Sequence, residues 1–193
     1  MDNAKVEIDS SVNEIYSKTI VTQEFENQSN NPIELRIYIY KIQNCIFSSF
    51  SAQIGDSIKV KSKVIKEEKA EEKYNDSISS GNAAIFVSKD PNNSNRVIIN
   101  MGNIPPKAKV TFISEFLQFI QTSEKYEFEI FRNLPIFTDS KEAYQFKSIT
   151  GKIEIKTKNE IMNIEKTLLS DKIKIREEKY LDEDKKNNYS IKY

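Results

Sequence analysis

The sequence contains neither histidine nor tryptophan among its 193 residues, and its one cysteine is Cys45. Histidine is the usual general base and the commonest zinc ligand, so its absence excludes Ser–His and Cys–His nucleophile systems. One cysteine without histidine can form neither a disulfide framework within the chain nor a structural zinc site. These absences predict a protein that is not an enzyme and that has no metal site.

Other catalytic patterns are missing as well. There is no glycine-rich phosphate loop, no nucleophile elbow and no EF-hand spacing, so the sequence predicts no cofactor. Carboxylate pairs such as Glu67-Glu68 and Glu71-Glu72 lie among lysines. That pattern is typical of a solvated face rather than of a catalytic acid and base. We identify no catalytic residue in the sequence.

The charge of the chain is balanced, with 29 basic and 29 acidic side chains. Nucleic acid or an anionic membrane surface would favour a basic excess, so we expect neither as a partner. No apolar run approaches the roughly 18 residues of a membrane-spanning helix. The segment 1–7 lacks the apolar stretch of a signal peptide, and we therefore expect a cytoplasmic protein.

Alternation of apolar and polar residues dominates the chain and predicts β-strands. In Ile33–Tyr40, four aliphatic residues share one face, while Tyr38 and Tyr40 lie on the opposite face with Glu34 and Arg36. Turn residues separate such runs at short intervals, which favours an antiparallel β-sandwich over βαβ units. The same period of two recurs at 58–64, 126–130, 153–156 and 173–176.

One segment has helical periodicity instead. Ala70, Tyr74 and Ile78 recur at every fourth position, and Gly81 stands where a helix C-cap glycine belongs. We predict one short amphipathic helix at about 67–80, lying on the sandwich and held there by packing.

The run 110–120 carries apolar residues at both odd and even positions. Such a run is typical of a strand that is buried on both faces. We therefore predict a doubly buried strand here, with a β-bulge near Glu115.

Five short segments follow one another along the first two thirds of the chain. They are Val21-Thr22-Gln23-Glu24-Phe25-Glu26-Asn27, Asn31-Pro32-Ile33-Glu34-Leu35, Phe50 with Ile54-Gly55-Asp56, Lys66-Glu67-Glu68-Lys69-Ala70 with Tyr74 and Gly81, and Asn100-Met101-Gly102-Asn103-Ile104-Pro105-Pro106. In this order they resemble the motifs of the VIT domain, the vault protein inter-alpha-trypsin domain. The sequence departs from the family pattern at Tyr38-Ile39-Tyr40-Lys41, which replaces a Phe-Pro-Leu-Pro-like segment, and at Lys69, an insertion before Ala70.

The resemblance implies a β-sandwich with one helix, and it implies a module that usually stands N-terminal to a von Willebrand factor A domain. We expect a VIT-like β-sandwich core at 1–140 and further β-strands, packed on the same domain, at 141–193. Apart from the family, Gly55 and Gly102 suit turn positions with positive φ. The aromatic residues of the motifs, Phe25, Phe50 and Tyr74, are candidates for core packing.

The first functional hypothesis is a non-enzymatic protein-interaction or scaffolding module whose partner is a protein, with a von Willebrand factor A domain as the candidate. Tyr38 and Tyr40 are the predicted contact residues, because they lie on the outward face of their strand and tyrosine is enriched at interfaces. The alternative is a carbohydrate- or small-ligand-binding β-sandwich.

Overall fold

A computed structural model describes residues 4–13, 15–40, 45–56, 58–61, 66–120, 136–137, 146–157, 176–181 and 187–192. Along these residues the elements are β1 (Ala4–Val12), β2 (Tyr16–Glu26), β3 (Ile33–Tyr40), β4 (Cys45–Ile54), β5 (Ile58–Lys61), α1 (Glu67–Ser79), β6 (Ala84–Asp90), β7 (Asn93–Ile104), β8 (Lys109–Phe119), β9 (Ile136–Phe137), β10 (Phe146–Thr157), β11 (Arg176–Leu181) and β12 (Asn187–Lys192). The predicted all-β fold is confirmed, and α1 matches the predicted helix to within one residue.

The strands form two sheets. The larger has eight strands in the order β11-β12-β10-β1-β2-β8-β4-β5, and the smaller has four in the order β6-β7-β3-β9. Neighbouring strands are antiparallel except for β1 and β10, which pair in parallel along the whole of β1. The sequence predicted an antiparallel sandwich, and this one parallel pair departs from it. Because β1 and β10 are far apart in the chain, no hairpin imposes an antiparallel direction on them.

Four sequence predictions concern residues that lie, wholly or in part, outside the described ranges. They are the end of the strand at 58–64, the strand at 126–130, the strand at 173–176, of which only Arg176 is described, and the domain boundary at 140. The predicted strand at 153–156 lies within β10, and Arg176 begins β11.

The inner faces of the two sheets form one apolar core. Alternate residues of β1 and β2 are buried, which is the pattern of a sheet with one face on the core. At its centre, Phe112 packs against Phe25 with ring centroids 6.2 Å apart and against Phe50 at 6.0 Å. Burial of each such ring contributes about 1.5–3 kcal/mol. The predicted core roles of Phe25 and Phe50 are confirmed, whereas Tyr74 lies half-buried on α1.

Asn27 joins two distant turns through its buried carboxamide. Its Nδ2 lies within hydrogen-bonding distance of the carbonyl oxygens of Ile104, Pro105 and Asn31, at 3.0, 2.9 and 2.9 Å. Its Oδ1 accepts hydrogen bonds from the backbone N–H and the hydroxyl of Ser29, at 3.0 and 2.8 Å. The end of the first motif is thereby tied to the end of the last one.

Helix α1 ends in a Schellman motif. Gly81 has a φ of 77° and donates its N–H to the carbonyl oxygen of Ile78 at 2.9 Å, and Asn82 donates to Ser77 at the same distance. The predicted C-cap role of Gly81 is confirmed. Asn103 then donates its side-chain amide to the same carbonyl of Ile78, at 2.9 Å, and so anchors the helix end to β7.

Gly102 is required for a different reason from the one that the sequence suggested. The glycines with positive φ in the described residues are Gly55 and Gly81, so the prediction is confirmed for Gly55 and wrong for Gly102. Gly102 lies within β7, and a Cβ there would be 2.8 Å from the hydroxyl of Tyr74 and closer still to the Cδ1 of Ile78. The absent side chain lets α1 lie directly on the small sheet.

We expect Asn27→Ala to lower the free energy of unfolding by about 2–3 kcal/mol, because buried carbonyl groups lose their donor. Urea unfolding monitored by circular dichroism measures the change. Asn31→Ala is the matched control, since the Asn31 side chain is exposed in the same loop, and it should change stability by less than about 0.5 kcal/mol. Equal losses in the two variants would contradict the role assigned to the Asn27 side chain.

We expect Gly102→Ala to destabilise the protein by about 1–3 kcal/mol, because the new methyl group overlaps the contact side of α1. Ile78→Ala removes the nearest side-chain atoms. The double variant should therefore be less destabilised than the sum of the two single variants in urea unfolding. Additive effects would show that α1 does not rest on Gly102.

Candidate functional site

Tyr38, the first predicted contact residue, lies on the outer face of the small sheet. The neighbouring residues Ile37 and Ile39 are buried in the core, and Tyr38 itself is half-buried opposite Ile98 of β7. The guanidinium carbon of Arg96 lies 4.5 Å from the centroid of its ring, a cation–π contact. Tyr40 ends the same strand, and its side chain lies outside what the structure describes.

Asp90 fixes the arginine that covers this tyrosine. It ends β6, is buried, forms an ion pair with the Nε of Arg96 and accepts a hydrogen bond from the backbone N–H of Asn92 at 2.8 Å. The Asn92 hydrogen bond and the ion pair with Arg96 lower the pKa of Asp90. The carboxylate is therefore the form that the fold stabilises.

Helix α1 covers the other half of the same face. The ring of Tyr74 lies 6.0 Å from that of Phe86 on β6, and burial, with the nearby carboxylate of Glu34, raises the pKa of Tyr74. Arg36 donates to the side-chain oxygen of Asn100 at 2.9 Å. The open part of this face is therefore a small aromatic and cationic surface around Tyr38, and its contact role stays a prediction.

The other sheet has an exposed apolar surface that the sequence prediction missed. Strand β8 was expected to be buried on both faces, but Ile113 is 40% and Phe119 is 59% exposed on its outer side. The prediction is wrong because, among the described elements, the small sheet packs on the inner face of β8, and α1 lies against β6 of the small sheet instead of the outer face of β8. Outward-facing apolar residues therefore meet solvent.

Four exposed apolar residues lie together at one end of the large sheet, and we call them the sheet-end patch. Tyr16 pairs with Phe119 across β2 and β8, and Ile46 of β4 lies opposite the half-buried Leu117 of β8. Residues directly opposite each other in antiparallel strands share a face. Ile15 precedes Tyr16, and its carbonyl oxygen accepts a hydrogen bond from the N–H of Ile120 at 2.8 Å, which places it at the same end of the sheet. The patch consists of Ile15, Tyr16, Ile46 and Phe119, with exposed fractions of 67%, 44%, 52% and 59%.

A polar cluster borders the patch toward the middle of the sheet. The ammonium of Lys18 lies 2.8 Å from the carboxylate of Glu115, which accepts a second hydrogen bond from the hydroxyl of Ser48 at 2.9 Å. The hydrogen bond from Lys18, followed by that from Ser48, lowers the pKa of Glu115. The predicted bulge at this position belongs to β4, where Ser48 is the extra residue between Phe47 and Ser49.

An apolar centre with a polar border is the usual composition of a protein-contact surface. In the residues that the structure describes, no three metal-binding side chains come together, and no helix is long and apolar enough to cross a membrane. The sheet-end patch and the surface around Tyr38 lie on the outer faces of different sheets. They are therefore separate candidates for partner binding.

A family model described as Vault protein inter-alpha-trypsin domain matches residues 4–116. The match covers more than half of the chain, from β1 into β8, and the chain belongs to this family. Strands β9, β10, β11 and β12 lie beyond the matched residues.

The curated relatives are much longer than this chain. A von Willebrand factor A domain-containing protein of Dictyostelium discoideum is 32% identical over 103 residues, which cover 53% of this chain and 11% of that protein. The von Willebrand factor A domain-containing protein 5A of Mus musculus is 24% identical over 159 residues, or 81% of this chain and 18% of the relative. Protein mono-ADP-ribosyltransferase PARP4 of Mus musculus is 32% identical over 57% of this chain and 6% of its own length.

Among solved structures, the 35 kDa C-terminal fragment of the major pilin GBS80 of Streptococcus agalactiae matches 79% of this chain and 58% of that chain. Its sequence identity is 9% and its TM-score is 0.33. This likeness carries no argument about fold or function.

We expect the aspartate Asp90 to contribute stability above its ordinary pKa and to lose that contribution as the pH falls through its lowered folded pKa. The difference in stability between the wild type and Asp90→Asn should therefore shrink between about pH 5 and pH 2. Urea unfolding at several pH values measures it. The control is Glu24→Gln, which removes a more exposed ion pair with Lys109 and should have little effect at any pH. A wild-type advantage that persists in acid would contradict this account.

Proposed function

We propose that the chain is a non-enzymatic interaction module that docks onto a von Willebrand factor A domain through the sheet-end patch. The observation that carries the proposal is the exposure of four large apolar side chains at one end of a sheet whose other face holds the core. Exposed apolar groups of this kind are stabilised when a partner removes them from water.

The relatives supply the candidate partner. Several relatives are about one third identical to this chain in an aligned segment that covers roughly half of it. Their names state that they contain a von Willebrand factor A domain. In each of them about nine tenths of the polypeptide lies outside the matched segment. A partner domain within the same polypeptide is present at an effective concentration of about millimolar. Even a small contact surface is useful under that condition.

The composition of the patch fits a weak, tethered contact. The aromatic rings of Tyr16 and Phe119 supply contact area at low cost in side-chain entropy. The Lys18–Glu115 pair at the border is partly exposed and ion-paired, so it contributes orientation more than affinity. A carbohydrate site would instead combine an aromatic platform with amide groups, and the border of this patch is an ion pair and a hydroxyl.

Mutation of the patch should weaken binding to a von Willebrand factor A domain. We expect Phe119→Ser to raise the Kd for the purified domain of a Dictyostelium relative by about tenfold or more, as for a central interface aromatic. NMR titration of the ¹⁵N-labelled full chain measures the Kd, because it also detects the weak binding that is expected of a tethered contact. The matched control is Ile113→Ser, which changes an exposed residue on the same face of the same strand, about 20 Å from Phe119. It should leave the Kd within about twofold.

A third variant, Tyr38→Ala, separates the two candidate surfaces. It should bind like the wild type if the sheet-end patch forms the contact. Loss of binding in Tyr38→Ala with no change in Phe119→Ser would place the contact on the small sheet and overturn the proposed site. A wild-type chain that does not bind the domain would overturn the proposed partner.

A further inference from the structure

Two polar side chains stand unpaired in the apolar core. Gln23 of β2 is fully buried, and neither its Oε1 nor its Nε2 has a hydrogen-bond partner among the described residues. The hydroxyl of Ser114 on β8, which is 1% exposed, is also without one. A buried polar group without a partner costs about 1–3 kcal/mol, and native proteins contain few of them.

The strand register places these two side chains beside each other. Gln23 lies opposite Phe112 and Val21 lies opposite Ser114, so Gln23 and Ser114 are diagonal neighbours on the inner face. Diagonal neighbours in antiparallel strands are about 7–8 Å apart between Cα atoms. Their polar atoms are therefore near enough to be bridged by one water molecule.

The two residues also continue a polar row across the core. Ser10 and Thr19 are paired across β1 and β2, and their hydroxyls are hydrogen-bonded at 2.9 Å. Thr19 lies opposite Phe116, which makes it the other diagonal neighbour of Ser114. The hydroxyls of Ser10 and Thr19 are thus hydrogen-bonded to each other, whereas the polar atoms of Gln23 and Ser114 have no such partner. Among the buried side chains that the structure describes, the unmet hydrogen-bonding capacity is thus confined to one place, with three polar atoms available.

We propose that Gln23 and Ser114 form a site for one internal water molecule between the two sheets. The water accepts a hydrogen bond from the side-chain amide of Gln23 and forms a second bond with the hydroxyl of Ser114. It stabilises a polar residue that would otherwise weaken the core, and it does so inside the segment that the family match covers.

A double-mutant cycle on the full chain tests this site. Gln23→Met keeps the length of the side chain and removes both polar atoms, and Ser114→Ala removes the hydroxyl. A bridging water loses one partner in either variant, so each should lower the urea midpoint by about 0.5 M. The double variant should lower it by less than the sum, because no unpaired partner remains. Two unbridged polar groups would instead give unchanged or raised midpoints that add, which would overturn the proposal.

A second measurement uses the wild type and does not depend on the variants folding. In the ¹⁵N-labelled chain, the side-chain amide protons of Gln23 should show magnetisation transfer from a long-lived water. The side-chain amide of Asn27 is the internal control, because it is equally buried but bonded to protein carbonyls. Transfer at Gln23 and not at Asn27 supports the site, and transfer at neither overturns it.

Discussion

The carboxamide of Asn27 is the interaction on which much of the arrangement depends. It holds the loop between β2 and β3 to the turn between β7 and β8, and each of these two connections joins the large sheet to the small one. Near the end of β7, the side chain of Asn100 accepts a hydrogen bond from Arg36 of β3. Asn103, in the same strand, donates a hydrogen bond to the carbonyl oxygen of Ile78 and so anchors the end of α1. Because buried carbonyl groups must be paired, one side chain with several acceptors fixes the spacing of both sheets and, through the turn, the position of the helix.

Local signals in the sequence predicted the elements well. The spacing of Ala70, Tyr74 and Ile78 with Gly81 beyond them predicted α1, because a helix and its C-cap are determined within a few residues. Alternation predicted β3 for the same reason. The function of Gly102 was predicted wrongly, because its need for a small side chain comes from α1, about two dozen residues earlier in the chain. The parallel pairing of β10 with β1 is equally non-local.

The surfaces were harder to predict than the strands. Phe119 and Ile113 are exposed on the outer face of β8. An apolar residue type at such a position is compatible with a face that another layer covers and with a face that meets a partner or water, so the sequence does not distinguish the two. The burial of Gln23 could have been predicted from the alternating pattern of β2, because Gln23 lies on the same face as Val21 and Phe25. A glutamine at such a position indicates a polar group inside the core, and the structure places it there.

Isoleucine methyl groups report directly on the central claim, that the sheet-end patch is the face that meets a von Willebrand factor A domain. Ile15 and Ile46 lie in the patch, Ile113 lies farther along the same face, and Ile98 lies on the small sheet. In methyl NMR spectra of the labelled chain, addition of the domain should shift the Ile15 and Ile46 signals and leave those of Ile113 and Ile98 in place. Shifts at Ile98 with unchanged Ile15 and Ile46 would contradict the account.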